Sequence, residues 1–447
     1  MARKGDRWRE LFGLIPVSLL VTAGFTAVLI NRSANDAPTI TYGVFFLGCC
    51  VLGSLVIRWR LPAADPWLFP LSALLAGFGL VTLYRLDEKF AAEQALYFLV
   101  GLGLMLATIL WLRDIRALER YRYTIAAIGI GLLVLPRMPG IGAQVNGAFL
   151  AINLGFIQFQ PAEFAKIAIV VFLASYLNDT RDVLVRGRIP QISLKHMGPL
   201  LVIWGASMLM LVFIRDLGSS LMFFGGFLAV LYVATSRISL VLVGLVMFFG
   251  GAAFFASNVG HVEDRVQTWL DPFSTERVLC PGTGTTEKYV DCQGFQIAQS
   301  LFAQADGGLF GQGFGNALIK VPGGGPLLPA AETDLIYAVI TDELGLFGAT
   351  GVILIYLMFA WRGFRAAIDA TDGFSKLLAA GLTSVFCLQV FVIVGGVTRV
   401  IPLTGVTLPF ISAGGSSILA NFVLLALILI VSDRARRDRG DVQGGLV

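Results

Sequence analysis

The chain reads as an all-α, polytopic transmembrane helical bundle, because three features of the sequence point the same way. Of its 447 residues 56% are apolar and only 14% are charged, and the mean hydropathy is +0.80, which is outside the range of soluble globular domains. Apolar runs long enough to cross about 30 Å of hydrocarbon recur along most of the chain. One long polar, Gly-rich segment, 259–332, interrupts them.

In order, the runs fall near 11–30, 42–57, 67–84, 93–112, 123–136, 161–177, 198–214, 217–233, 238–257, 333–361, 377–398 and 413–432, which predicts about twelve spans. The first follows a basic segment and carries no small-residue cleavage site, so it reads as a retained helix rather than a signal peptide. Lys and Arg near span ends stay cytoplasmic, and an inside N-terminus places the clusters at 3–9, 58–60, 113–122, 181–195, 362–376 and 434–439 on that side. Both termini are therefore expected on the cytoplasmic side of the membrane, and the 259–332 loop on the extracytoplasmic side. The net charge of +4 is then a matter of topology, not a footprint for nucleic acid; the basic tail 434–447 suits anionic membrane lipid. The division expected is 1–60, with two helices; 61–433, a single membrane domain; and 434–447, a cytoplasmic tail.

Three of the five cysteines, Cys49, Cys50 and Cys387, lie in apolar spans and read as small buried hydrophobes. Cys280 and Cys292 lie in the polar loop and bracket a flexible Pro-Gly-Thr-Gly-Thr-Thr stretch. In an oxidising compartment such a pair forms a disulfide. The chain's two histidines, His196 and His261, are not spaced with them as zinc ligands, so no metal site is read from them.

Polar residues in apolar surroundings supply the remaining signals. Glu163 and Lys166, in Gln160-Pro161-Ala162-Glu163-Phe164-Ala165-Lys166, share one helix face and read either as a buried structural pair on a cavity wall or as site residues. Asp216, in Arg215-Asp216-Leu217-Gly218-Ser219-Ser220, is a solvated turn or part of a site. Glu332, Asp334, Asp342 and Glu343 bring four carboxylates into or beside the tenth span. The segment from Arg399 through Pro402-Leu403-Thr404-Gly405 to Leu408-Pro409-Phe410-Ile411-Ser412-Ala413-Gly414-Gly415-Ser416-Ser417 re-enters the last helix, a backbone course tolerated at membrane depth only when buried in protein or lining a wet cavity.

These segments, in this order, resemble the SEDS family of bacterial membrane proteins, the RodA/FtsW/SpoVE group, over roughly residues 67 to 433. The family's Gln-Pro-(Ser/Ala)-Glu-x-x-Lys matches Gln160 to Lys166, and its Asp-Leu-Gly-(Thr/Ser) matches Asp216 to Ser219. Gly294 to Ser300 and Gly307 to Gly313 match Gly-(Tyr/Phe)-Gln-x-x-Gln-Ser and Gly-Gly-Leu-x-Gly-x-Gly. Thr333 to Tyr337, Glu343 to Gly345 and Pro402 to Ser417 complete the collinear set. The family has ten spans, so the two before residue 60 are additional; with the cysteine-bearing loop they look like the actinobacterial RodA-type variant. Glu332 stands where the family usually has His, Ala413 where Tyr is common, and Val145 to Phe149 replace an Arg-Trp-Ile element.

The resemblance implies a peptidoglycan glycosyltransferase that polymerises lipid II, an undecaprenyl-pyrophosphate-linked disaccharide pentapeptide, at the outer face of the membrane in cell elongation, shape or division. Such a reaction needs a carboxylate to activate a sugar hydroxyl and positive charge around the departing pyrophosphate. The family's essential Asp precedes the Gly-x-Gln-x-x-Gln-Ser run, which points to Asp291; Asp271, separated from that run by an insertion, is its rival. Without the resemblance either would read as a solvated loop carboxylate. Site-lining residues implied are Glu163, Lys166, Asp216, Arg265, Gln296, Gln299, Ser300, Lys320, Asp334, Glu343, Arg399 and Ser416, with Arg215, Arg265, Lys320 and Arg399 as candidate cations for the leaving group. A divalent cation (Mg or Mn) near the pyrophosphate suits the chemistry, although no ligand cluster calls for it. No transpeptidase domain is present, so cross-linking falls to a partner, in this family a class B penicillin-binding protein. A lipid II flippase and a scaffold for that transpeptidase are the alternative readings. A need for outer-loop carboxylates favours the enzyme; a need for carboxylates deep in the spans favours transport.

Overall fold

A computed structural model of the chain describes residues 6–31, 39–138, 141–145, 148–153, 158–186, 198–199, 201–202, 204–206, 217–256, 260–280, 284–319 and 326–444. Among them nine helices are long and apolar enough to cross a membrane. These are α1 (Asp6–Asn31), α2 (Thr39–Arg60), α3 (Leu68–Leu86), α4 (Glu88–Trp111), α7 (Pro161–Arg186), α8 (Leu217–Thr235), α12 (Ile336–Asp369), α13 (Gly373–Val397) and α14 (Gly415–Gly444). Two further apolar segments are shorter: α6 (Arg122–Val134), which follows the single-turn α5 (Arg116–Arg120), and the Ile238–Gly251 stretch of α9 (Ile238–Ala256). The expected span at 198–214 lies mostly outside the described residues.

The ends of these helices follow from the local sequence. Asp87 closes α3 through its N–H, 2.8 Å from the Leu83 carbonyl, and opens α4 by accepting the Lys89 N–H on its side chain at 2.8 Å. Asp372 caps α13 in the same way, accepting from Ser375 N at 2.9 Å. Pro161 sits at the first position of α7, where its missing N–H costs nothing.

Lipid is as apolar as leucine, so packing between spans relies on close approach and on internal polar bonds. Small residues provide the approach: a Cβ added to Gly79 of α3 would meet the Ile411 backbone at 2.6 Å, and one on Gly101 of α4 would meet the Phe422 ring of α14 at 2.5 Å. Phe359, Phe386, Phe410 and Phe422 fill the centre of the bundle, with Phe410 edge-on to Phe422 at 5.3 Å.

Two features depart from the expected pattern. Three short segments, β1 (Gly142–Val145), β2 (Ala148–Asn153) and β3 (Gln158–Phe159), pair in that order as a small antiparallel sheet, where no strand was expected. The 259–332 segment is also more regular than a Gly-rich loop. It contains α10 (Gly260–Leu270), a hairpin of β4 (Arg277–Leu279) and β5 (Thr286–Lys288), and α11 (Phe295–Gly307). The 333–361 run is not one smooth helix either, because Gly345 has φ +65° inside α12 and kinks it.

Candidate functional site

The re-entrant segment before α14 is the hub on which most of the singled-out motifs converge. Its backbone groups cannot pair within a helix, and at membrane depth each unpaired one would cost several kcal/mol. Buried side chains from three spans, α4, α12 and α13, meet that need. Gln94 donates to the Ser412 carbonyl at 3.0 Å and accepts from Gly414 N at 3.3 Å. Gln389 donates to the Thr407 carbonyl at 2.9 Å, and the Tyr356 hydroxyl to that of Pro409 at 2.6 Å. Ser416 accepts from Gln160 N at 2.8 Å, which fastens the start of α14 to the start of α7.

Glu163 and Lys166 meet the same hub from α7. Lys166 Nζ lies 2.7 Å from Glu163 Oε2 and donates at 2.7 Å to Gln389 Oε1, whose amide holds Thr407. Both charged residues are buried. On the other side of the hub Arg265 Nη1 donates to the Leu403 carbonyl at 2.6 Å. Gly405, with φ +76°, leaves the space between: a Cβ there would lie 3.5 Å from Asp334 Oδ2 and 3.9 Å from Arg265 Nη2. The Asp-Leu-Gly motif reaches the hub through Gly218, where an added Cβ would meet Val406 Cγ2 at 2.1 Å; Asp216, Arg215 and Lys320 themselves lie outside the described residues.

Asp271 and Asp291 stand at the two sides of a narrow neck. The chain leaves at the end of α10, runs out through the β4–β5 hairpin and returns to α11. Beyond the hairpin the ladder continues inward, with Tyr289 N to the Glu276 carbonyl at 2.8 Å and Val290 N to that of Ser274 at 3.1 Å. The buried Tyr289 hydroxyl bonds Thr268 of α10 at 2.6 Å, and a Cβ on Gly294 would meet the Pro272 carbonyl at 2.4 Å. Insertion and return are thus pinned together, and both exposed carboxylates flank the same neck. Cys280 and Cys292 are bonded to each other, Cα to Cα 5.7 Å, directly beside Asp291.

Arg399 secures the near side of this neck. Its Nε and Nη2 donate to the carbonyls of Trp269 and Leu270 at 2.7 and 2.5 Å, and the Trp269 indole donates back to the Arg399 carbonyl at 3.1 Å. These are the carbonyls that the end of a helix leaves unpaired, so the guanidinium caps α10 one residue before Asp271. Ser300 and Gln304 of α11 both donate to the Val397 carbonyl, at 3.4 and 2.9 Å, placing Gln296 and Gln299 on a helix docked against the end of α13. Gln299 lines a cavity of about 220 Å³ together with Asp306, Gln312, Asn316 and Asp342.

Glu343 stands apart from the neck. Buried to 1% exposure, it receives Arg85 Nε at 2.8 Å, while Arg85 Nη2 donates to the Ala317 carbonyl at 2.7 Å. Beside it the Gly307–Gly313 loop lies backbone to backbone against the kink of α12. Gln312 N and Gly313 N donate to the carbonyls of Asp342 and Glu343, and Leu346 N and Phe347 N donate to those of Gly308 and Leu309, all within 2.9–3.1 Å. The glycines are therefore there for close packing of main chain on main chain. Arg85, Gln94, Tyr356 and Gln389 are the polar partners of these motifs that the motifs themselves do not announce; their signal is that of lone polar side chains inside apolar runs.

Among the described residues no group of three or more His, Cys, Asp and Glu comes together as a metal site.

A bundle of membrane-crossing helices knotted around a buried re-entrant segment, with two carboxylates at an adjoining neck, defines the class, and comparison with known proteins agrees: residues 67–437 match the cell cycle protein model FtsW/RodA/SpoVE, so the chain belongs to that family. It is 39% identical to the peptidoglycan glycosyltransferase RodA of Mycobacterium tuberculosis over 445 residues, 96% of this chain and 91% of the relative. To the stage V sporulation protein E of Bacillus subtilis it is 31% identical over 79% of this chain and 90% of that protein. Among solved structures it superposes on a chain of a peptidoglycan synthase complex that coordinates polymerisation and crosslinking, with TM-score 0.65 and 26% identity over 84% of this chain and 98% of the other. On the rod shape determining protein RodA of Thermus thermophilus the values are 0.58 and 25% over 83% and 97%. The first two helices precede the matched region.

Proposed function

We propose that the chain is a peptidoglycan glycosyltransferase that polymerises lipid II at the outer face of the bacterial cytoplasmic membrane. The observation that carries this reading is the neck: two exposed carboxylates pinned to one place, next to a hub that gathers Arg265, Asp334, Lys166 and Glu163. Asp291 is assigned as the general base that takes the proton of the acceptor sugar's hydroxyl as that oxygen attacks the anomeric carbon of the donor and the pyrophosphate departs. Asp271, across the neck, is the alternative base. Arg265 is the best placed of the described cations for the departing pyrophosphate, because it spends one terminal nitrogen on Leu403 and directs the other toward Gly405, whereas Arg399 commits two donors to α10. A Mg or Mn ion at this site would be held largely by the pyrophosphate itself, the usual mode for magnesium.

The basic clusters support cytoplasmic termini and an extracytoplasmic neck, and a class B penicillin-binding protein is the transpeptidase proposed to work with the chain. The test is polymerisation of lipid II by purified chain and partner, with glycan length read on a gel. Glycan strands from wild type, lost in Asp291→Asn, are expected. Transport of lipid II between leaflets without strand growth would instead establish the flippase reading, and a chain needed only to recruit the transpeptidase would show neither.

A further inference from the structure

A second cavity, of about 350 Å³, opens at the opposite ends of the spans, between the last residues of α2 and α4 and the lower half of α14. Four arginines line it: Arg60, Arg113, Arg434 and Arg437. Two of them are already engaged, Arg434 with Asp114 at 3.2 Å and Arg437 with Asp433 at 2.7 Å. The third lining carboxylate, Asp438, accepts the Thr371 hydroxyl at 2.6 Å. The guanidinium groups of Arg60 and Arg113 have no hydrogen bond or ion pair among the described residues. They face a cavity whose floor is apolar, with Leu61, Ile109 and Ile430.

The depth of this cavity is fixed by its neighbours. Trp59 and Trp111, adjoining the two walls, are 76% and 85% exposed. Exposed indoles at span ends mark the layer where phospholipid headgroups lie. A pocket at that level, with two guanidinium groups that no described residue pairs, matches one kind of occupant: the phosphate of a lipid headgroup whose acyl chains lie in the adjoining bilayer. We infer that it binds an anionic phospholipid headgroup, its phosphate against Arg60 and Arg113 and its acyl chains leaving past the exposed Trp59 and Trp111. Arginine's planar fork suits the phosphate oxygens. The occupant bridges α2 to α4 and α14, so it ties one of the two helices that precede the family match to the helix that carries the hub.

The test follows the thermal unfolding midpoint of the full chain in neutral detergent as phosphatidylglycerol, phosphatidylcholine or inorganic phosphate is added, with retained lipid counted by native mass spectrometry. Phosphatidylglycerol should raise the midpoint saturably, and Arg60→Gln with Arg113→Gln should weaken that response by about tenfold or more. The Lys pair at the same positions should keep most of it. If the Gln pair does not fold, Arg113→Gln alone, at an exposed helix end, carries the comparison. Removing equal charge outside the pocket, by Arg116→Gln with Lys376→Gln, should leave the response intact; an equal loss there would make the effect nonspecific and overturn the site. A response as strong to phosphatidylcholine or to inorganic phosphate, or full retention of phosphatidylglycerol by the Gln pair, would overturn it as well.

Discussion

Asp291 occupies a short turn between the hairpin and α11, open to solvent, while Asp271 caps the other side of the same neck. Asn in place of either keeps size and polarity and cannot take a proton. For Asp291→Asn we expect polymerisation to fall by about 10²-fold or more with insertion and folding intact. Full activity in Asp291→Asn together with its loss in Asp271→Asn would transfer the role across the neck. Glu163 and Lys166 make a different forecast. Glu163→Gln leaves a buried ammonium without its counter-charge, facing only neutral amide oxygens, a change that typically costs about 3–5 kcal/mol, whereas Glu163→Leu with Lys166→Met removes both charges at far smaller cost. Folded yield by size exclusion should drop in the single variant and recover in the double. A double variant that folds and polymerises in part would fit a wall of the cavity; one that folds and is inactive would put the pair against substrate.

At the scale of elements, the β4–β5 hairpin is an insertion whose two ends are held in register by its own ladder, by Tyr289 on Thr268 and by the cystine. A closed loop of this length contributes about 2–4 kcal/mol in the usual chain-entropy account. Thiol labelling of denatured, unreduced protein should modify Cys49, Cys50 and Cys387 alone, and reduction should add Cys280 and Cys292; labelling of all five without reductant would remove the bridge from the account of Asp291. The re-entrant segment works the other way, through many weak bonds from distant spans. Its course was legible from Pro402-x-Thr404-Gly405 and Leu408-Pro409, which interrupt a helix, and from the Gly-Gly-Ser-Ser run, at which α14 begins. What satisfies it was not legible, because Gln94, Gln389 and Tyr356 are single polar letters separated from it by up to hundreds of residues. The sheet at 142–159 was missed for a related reason: its strands are short and its Gly and Ala give no two-residue alternation to read.

For the whole molecule, the long apolar runs made the bundle legible, since each must satisfy its own backbone in lipid and only a helix does so. The place of the first two helices was not, because a helix set in lipid is apolar on every side and carries no polar stripe to say which neighbour it faces. They pack on α3, where a Cβ on Gly77 would meet Val21 Cγ2 at 2.4 Å. None of the hydrogen bonds described at the hub or the neck comes from them. A chain beginning at Leu61 should therefore insert and polymerise lipid II per folded molecule as the full chain does, with a lower yield. Loss of specific activity in that truncation would show that α1 and α2 act on the site.

The contact between the Gly307–Gly313 loop and the kink at Gly345 is made by main chain against main chain, and that has a genetic consequence. A defect in the Arg85–Glu343 pair can be compensated by changing the other partner, because side chains carry the contact. At Gly311, where a Cβ would meet the Glu343 carbonyl at 2.1 Å, no partner side chain exists to be shortened. In a search for second-site suppressors, lesions at Glu343 should yield compensating changes at residue 85, whereas Gly311→Ala and Gly345→Ala should return same-site revertants only.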